Sequence, residues 1–161
     1  TTLVKTDALS ACSGLENVSF SNINKTGDPA NIAFLGKLTG VKSRHVVKSN
    51  ISDTDTLASC SALATVEFNT ATMAGGPVKL SFLAKLAGVK TLTLTKCKVS
   101  DFEALASCKE LTNVTISEVE GIANLEPLKK LPKLKKITLK KGAFPDSELT
   151  SLDPKITITQ K

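Results

Sequence analysis

The apolar positions of the chain recur. Leading leucines fall at Leu9, Leu35, Leu57, Leu83, Leu105 and Leu128, in steps of 26, 22, 26, 22 and 23 residues. Behind each runs one template, L-x-x-[CL]-x-x-[LV]-x-x-[VLI]-x-[FLVI]. It is filled by Leu9, Cys12, Leu15, Val18, Phe20, by Leu83, Leu86, Val89, Leu92, Leu94, and by Leu128, Leu131, Leu134, Ile137, Leu139. The first half steps by three, which suits a helical or 3₁₀ turn, and the second alternates, which suits a short strand. Each unit therefore predicts one coil that crosses a convex side and returns as a strand. Successive strands would pair in parallel, roughly 4.8 Å apart. No coil of this size can bury its leucines alone, so such units occur in arrays. Coils also group in twos, because Cys12, Cys60 and Cys108 recur at a step of 48. Phe34-Leu35 and Phe82-Leu83 share that offset, as do Gly27-Asp-Pro29 and Gly75-Gly-Pro77.

The stretch Leu92-Thr-Leu94-Thr-Lys-Cys97-Lys-Val99-Ser-Asp101-Phe102-Glu-Ala-Leu105 resembles the leucine-rich repeat L-x-L-x-x-[NC]-x-[IL]. It continues as x-[DN]-[IF]-x-x-L, in the manner of the 22-residue, internalin-like subclass, and Ile51-Ser-Asp53 repeats part of it. The resemblance covers nearly the whole chain. It implies an α/β leucine-rich-repeat solenoid with a parallel concave sheet and short helical or 3₁₀ convex segments. One domain over residues 1–161 is expected, with about six coils and a closing segment at 142–161 in which Ile156-Thr-Ile158 reads as a last strand. The fold says little of function, because such a scaffold carries many binding roles.

Several positions depart from the family pattern. Ser49, Ala71 and Gly142 stand where the repeat usually has asparagine, so its asparagine ladder is mostly absent. The 26-residue coils carry Gly-Pro insertions after Phe20 and Phe68, which predict turns or bulges. Arg44 occupies an inward apolar position. A bare buried charge is costly, so either the register slips there or the arginine reaches solvent. Residues 1–5 align with the middle of a coil, without a polar cap, and an upstream segment or a partner is expected to cover that edge.

Composition narrows the core. Of 161 residues, 41% are hydrophobic but only 4% aromatic, with no Trp or Tyr, so many thin layers of Leu, Val, Ile and Ala suit the chain better than one bulky centre. A net charge of +6 and a pI near 9.2 favour acidic partners. No apolar run approaches the ~18 residues of a membrane span. Residues 1–10 lack the charged start and apolar stretch of a signal peptide. The start at Thr1 and the Lys- and Thr-rich composition lean towards a processed, secreted or cell-surface bacterial protein.

Candidate chemistry is sparse. Cysteines two coils apart stand about 10 Å from one another, beyond the ~7 Å a disulfide spans. Cys12, Cys60 and Cys108 are therefore expected to be reduced, buried and inert, and Cys97 likewise. Neither a metal nor a cofactor is expected. His45, the single histidine, falls beside Glu67 in one column of neighbouring strands. Such a pair can serve acid-base catalysis, but no nucleophile, oxyanion donor or second base accompanies it. A surface hydrogen bond and a non-enzymatic protein are expected.

The register places on the concave face Asn17, Ser19, Ser21; Ser43, His45, Val47; Thr65, Glu67, Asn69; Thr91, Thr93, Thr95; Asn113, Thr115, Ser117; and Lys136, Thr138, Lys140. From these, His45, Glu67, Asn69, Thr93, Thr95, Thr115, Lys136 and Lys140 are the candidate partner-binding residues. Short hydroxyls prevail, with few of the aromatic or arginine anchors that supply most interface energy. Binding there is expected to be shallow unless loops contribute.

Lys129, Lys130, Lys133, Lys135, Lys136, Lys140 and Lys141 crowd the last full coil. They read either as a site for an anionic surface, phosphate or polysaccharide, or as a solvated coil partly paired with Glu118, Glu120 and Glu126. Nucleic acid is disfavoured, because the stacking aromatics are Phe alone and arginine occurs once. The glycosylation-like motifs at Asn17, Asn24, Asn50 and Asn113 are expected chance matches in a Ser- and Thr-rich chain. The function expected is a non-catalytic protein-protein or protein-glycan interaction module using the concave face. The alternative is a small scaffold, inhibitor or immunity-type protein that binds an acidic partner through the lysine-rich coil.

Overall fold

The computed structural model describes residues 12, 14–23, 28–38, 40–52, 54–86 and 88–161. Leu9, the coil start at residues 1–5, Asn24 and Gly27 lie outside the described residues. Among the described residues seven strands form one parallel sheet in chain order: β1 (Asn17–Ser21), β2 (Ser43–Val47), β3 (Thr65–Asn69), β4 (Thr91–Thr95), β5 (Asn113–Ser117), β6 (Lys136–Leu139) and β7 (Thr157–Gln160). The register is unshifted throughout, with Val18, Arg44, Val66, Leu92, Val114, Ile137 and Ile158 in one row. The last strand begins one residue later than the Ile156-Thr-Ile158 reading, and Ile156 is buried just before it.

The other half of each coil is a 3₁₀ turn at Ala33–Lys37, Thr54–Ser59, Ser81–Lys85 and Phe102–Ser107, and a short α-turn at Glu126–Lys129 and Asp146–Thr150. A three-residue apolar step matches the 3₁₀ period, so the same face is presented inward at each turn. Leu35, Leu57, Leu83, Leu105 and Leu128 are all buried. The core is a continuous ribbon between the sheet and these turns.

The recurrent cysteine has a structural task. The Cys60 thiol donates to the Leu35 carbonyl at 3.2 Å and the Cys108 thiol to the Leu83 carbonyl at 3.5 Å, so each satisfies the backbone of the coil before it. Cys12 departs from the expectation: it is exposed, whereas Cys60, Cys97 and Cys108 are buried. Among the described residues no coil lies on its outer side.

The lost asparagine ladder is partly replaced. Ser49 Oγ accepts from the Ile23 amide at 3.1 Å and donates to the Val47 carbonyl at 2.8 Å. Asn50 Oδ1 accepts from Thr72 Oγ1 at 3.2 Å and the Gly75 amide at 3.0 Å. The insertion after Phe68 folds as a tight turn, in which Met73 and Gly76 exchange backbone hydrogen bonds of 3.1 and 2.8 Å. Its central residues, Ala74 and Gly75, both have positive φ, as a type I′ turn requires.

Arg44 contradicts both expectations made for it. The register holds, and the side chain is fully buried. Its guanidinium lies 5.8 Å from the Phe20 ring centre and 5.7 Å from that of Phe68. Its three nitrogens have no hydrogen-bond partner among the described residues. Two ring faces stabilise a cation by roughly 0.5–2 kcal/mol each, which offsets part of the cost of burying the charge. Burial nonetheless pushes its pKa down to about 9, against a smaller upward pull from Cys60.

Candidate functional site

Alternation along each strand decides which residues reach the concave face. In β2, β3 and β4 the pattern is half-buried, buried, half-buried, buried, half-buried, so every second side chain stays open to a partner. The middle column runs Ser19, His45, Glu67, Thr93, Thr115, Thr138, Thr159. Four of the eight sequence candidates, His45, Glu67, Thr93 and Thr115, are therefore consecutive neighbours. Asn69 and Thr95 are paired in the next column, and Lys140 follows Leu139 at the same edge, its amide bonded to the Ile116 carbonyl. Lys136 lies across from Asn113 in the remaining column.

His45 Nδ1 stands 2.6 Å from Glu67 Oε2, with both side chains partly exposed. The bond spans adjacent strands and fixes the imidazole against the sheet. In the column, Ser19 lies beside His45 and Thr93 beside Glu67. Towards β1, Ser43 Oγ hydrogen-bonds Asn17 and Lys42 pairs with Glu16 at 2.5 Å. These contacts occupy polar groups at one end of the face.

The lysine run does not form one patch, because the winding of its coil distributes it. Lys129 pairs with Glu126 within one turn, and Lys133 with Glu110 at 2.6 Å. Lys140 approaches Glu118 at 3.9 Å. Of the acids expected to neutralise the run, Glu118 and Glu126 do so, while Glu110 was not among them. Lys136 and Lys141 are exposed and make no ion pair among the described residues.

A further feature escapes the repeat template. The residue after each of the first five strands, Asn22, Lys48, Thr70, Lys96 and Glu118, has positive φ between 47° and 57°. Non-glycine residues rarely adopt this conformation, and β-branched Thr70 is a true outlier. The reversals open a groove of about 820 Å³ at the carboxyl ends of β3 to β6, reaching Phe144. Ala71, Cys97 and Ile116 form its buried floor, and Val119, Ile122 and Phe144 are only partly covered. The tight ring of coils on this side leaves Gly121 no alternative: with φ of 89°, a Cβ there would sit 2.1 Å from the Val99 carbonyl oxygen.

The cysteines are chemically quiet where buried. Burial pushes the Cys97 and Cys108 thiols up to about 11, and that of Cys60 upward as well. Among the described residues no group of three or more His, Cys, Asp or Glu could hold a metal ion, and no helix is long and apolar enough to cross a membrane.

No protein-family model matches the chain, and no curated protein is significantly similar to it. Solved structures do resemble it. Internalin C2 from Listeria monocytogenes matches with a TM-score of 0.75 and 21% identity, over 98% of this chain and 66% of its own. The plant peptide hormone receptor RGFR1, solved in complex with RGF2, matches with a TM-score of 0.68 and 16% identity, over 95% of this chain and 25% of its own. The internalin inlF from Listeria monocytogenes matches with a TM-score of 0.51 and 15% identity, over 98% and 57%. The chain thus spans just under two thirds of the first of these and less of the others. Taken with the repeat and the unshifted register, these likenesses establish the fold as that of a leucine-rich-repeat solenoid.

Proposed function

We propose that the chain is a non-catalytic module that binds a protein ligand across its concave face, with His45, Glu67, Thr93 and Thr115 at the centre. Asn69, Thr95, Lys136 and Lys140 flank them. The observation that carries this reading is the unbroken, in-register sheet, which holds these side chains on one rigid surface. A rigid face loses little backbone entropy on association. The resemblance to a peptide hormone receptor solved with its ligand supports a polypeptide over a small molecule. With short hydroxyls prevailing, affinity comes from many modest hydrogen bonds.

The test is a displayed random-peptide library panned against the wild-type protein, with a folded T93R/T115R variant for comparison. Recovered peptides are expected to bind the wild type and to lose at least tenfold in affinity on the variant. Peptides that bind both proteins equally would place recognition elsewhere. A second reading, an acidic partner held by the last coil, is favoured by Lys136 and Lys141, which lack ion pairs among the described residues. It requires binding that weakens steeply between about 0.05 and 0.5 M salt and disappears in K136E/K140E.

A further inference from the structure

The groove at the carboxyl ends of β3 to β6 is separate from the centre of the concave face and was not foreseen from the repeat. Three apolar side chains, Val119, Ile122 and Phe144, are left half-buried at one place. Isolated exposed apolar residues are ordinary, but a contiguous set rimmed by charge marks an interaction site. Lys96 and Lys98 stand exposed on the rim and make no ion pair among the described residues. Lys140, the third rim lysine, reaches Glu118 only at 3.9 Å. Glu120, also exposed on the rim, has no ion pair among the described residues. Three lysines therefore share the rim with two carboxylates, and Lys98 stands opposite Glu120 across a backbone bridge.

We propose that this groove takes an extended polypeptide segment in which an aromatic or leucine side chain is flanked by aspartate or glutamate. The apolar side chain would rest on Val119, Ile122 and Phe144, and the flanking carboxylates would meet Lys96 and Lys98. Charge complementarity selects this occupant. A basic segment would face three lysines against two glutamates, one of which already lies near Lys140, and a lipid tail would need a deeper apolar channel than an open groove supplies. Continuity supports it too, because Lys140 borders both the groove and the concave sheet. A ligand lying across the sheet could thus extend over its edge. The backbone of the rim is held in place by the ladder that continues past the strands, from the Thr70 amide to the Thr95 carbonyl at 2.9 Å and from the Lys96 amide to the Ser117 carbonyl at 2.9 Å. The site needs little ordering on binding. The proposal rests on the reading of the chain as a binding module, but not on the centre of the concave face being used.

The experiment is fluorescence polarisation with labelled hexapeptides in which phenylalanine or leucine alternates with aspartate or glutamate, titrated with the full chain. Control peptides carry lysine in place of the acids. Saturable binding of the acidic peptides, at least tenfold tighter than of the controls and weakened by salt, is expected. K96E/K98E and F144A, each checked for an unchanged melting temperature, should each weaken it at least tenfold, whereas T93R/T115R should leave it unaltered. Equal binding of acidic and basic peptides, or affinity that survives K96E/K98E, overturns the proposal. Loss on T93R/T115R alone would return the peptide to the concave face, and so would refute the groove while sustaining the broader function.

Discussion

Replacing Arg44 with methionine should make the protein more stable. The guanidinium is wholly buried, with three nitrogens that have no hydrogen-bond partner among the described residues, in a row otherwise filled by Val, Leu and Ile. Substituting buried charged groups by well-packed apolar ones raises stability by about 1–4 kcal/mol in other proteins. Against this stands the loss of two cation-ring contacts with Phe20 and Phe68, roughly 0.5–2 kcal/mol each. A thioether recovers part of that, about 0.3–1.5 kcal/mol per ring contact, and its flexible chain fills the same gap. The net expectation is a gain of about 1–3 kcal/mol. For a chain of this length that corresponds to a rise of roughly 2–12 °C in Tm.

The gain should also depend on pH. At pH 7 the folded and unfolded chains both keep the Arg44 proton, so the full penalty is present. Burial lowers the Arg44 pKa to about 9, so as pH rises the folded chain gives up that proton before the unfolded chain does. Wild-type stability is then partly restored as pH rises, relative to the variant. Thermal melts of both proteins at pH 7 and 10.5, followed by far-ultraviolet circular dichroism, measure the difference with the lysine titrations common to both. A folded R44M protein that melts below the wild type at pH 7, or a gap that widens towards pH 10.5, would overturn this account of Arg44.

Two further outcomes follow from burial. Leu92 is fully buried and Thr93, its neighbour, is half-exposed, so Leu92→Asp should lose more than about 4 kcal/mol in urea denaturation and Thr93→Asp less than about 1. Comparable losses for both would mean that the faces of β4 are misassigned. In the native protein at pH 8 a thiol reagent should modify Cys12 rapidly and Cys60, Cys97 and Cys108 only slowly, because those three are buried and hold their protons more tightly. Equal rates for all four thiols in the folded state would contradict the packing.

How much could be read along the chain differs between neighbouring and isolated features. Spacing alone determined the coil boundaries, the parallel sheet, the columns of the concave face and the meeting of His45 with Glu67. Each of these depends on one coil meeting a similar coil, and a repeated pattern specifies that contact many times over. The destination of Arg44 was not legible, because it depends on two phenylalanines from the coils on either side, not on its own inward position. Nor was the exposure of Cys12, since among the described residues no coil covers it, and burial is a property of the neighbour as well as of the residue. The lysines read as one run until the winding sent Lys129 and Lys133 to different acids and left Lys136 and Lys140 on the sheet side. The groove required the left-handed turns after the strands, a conformation that residues such as Thr70 and Lys96 do not announce. Periodicity determines what faces inward in every layer, whereas partial burial, charge pairing and surface concavity arise only when the layers are stacked and their different side chains compete for the same space.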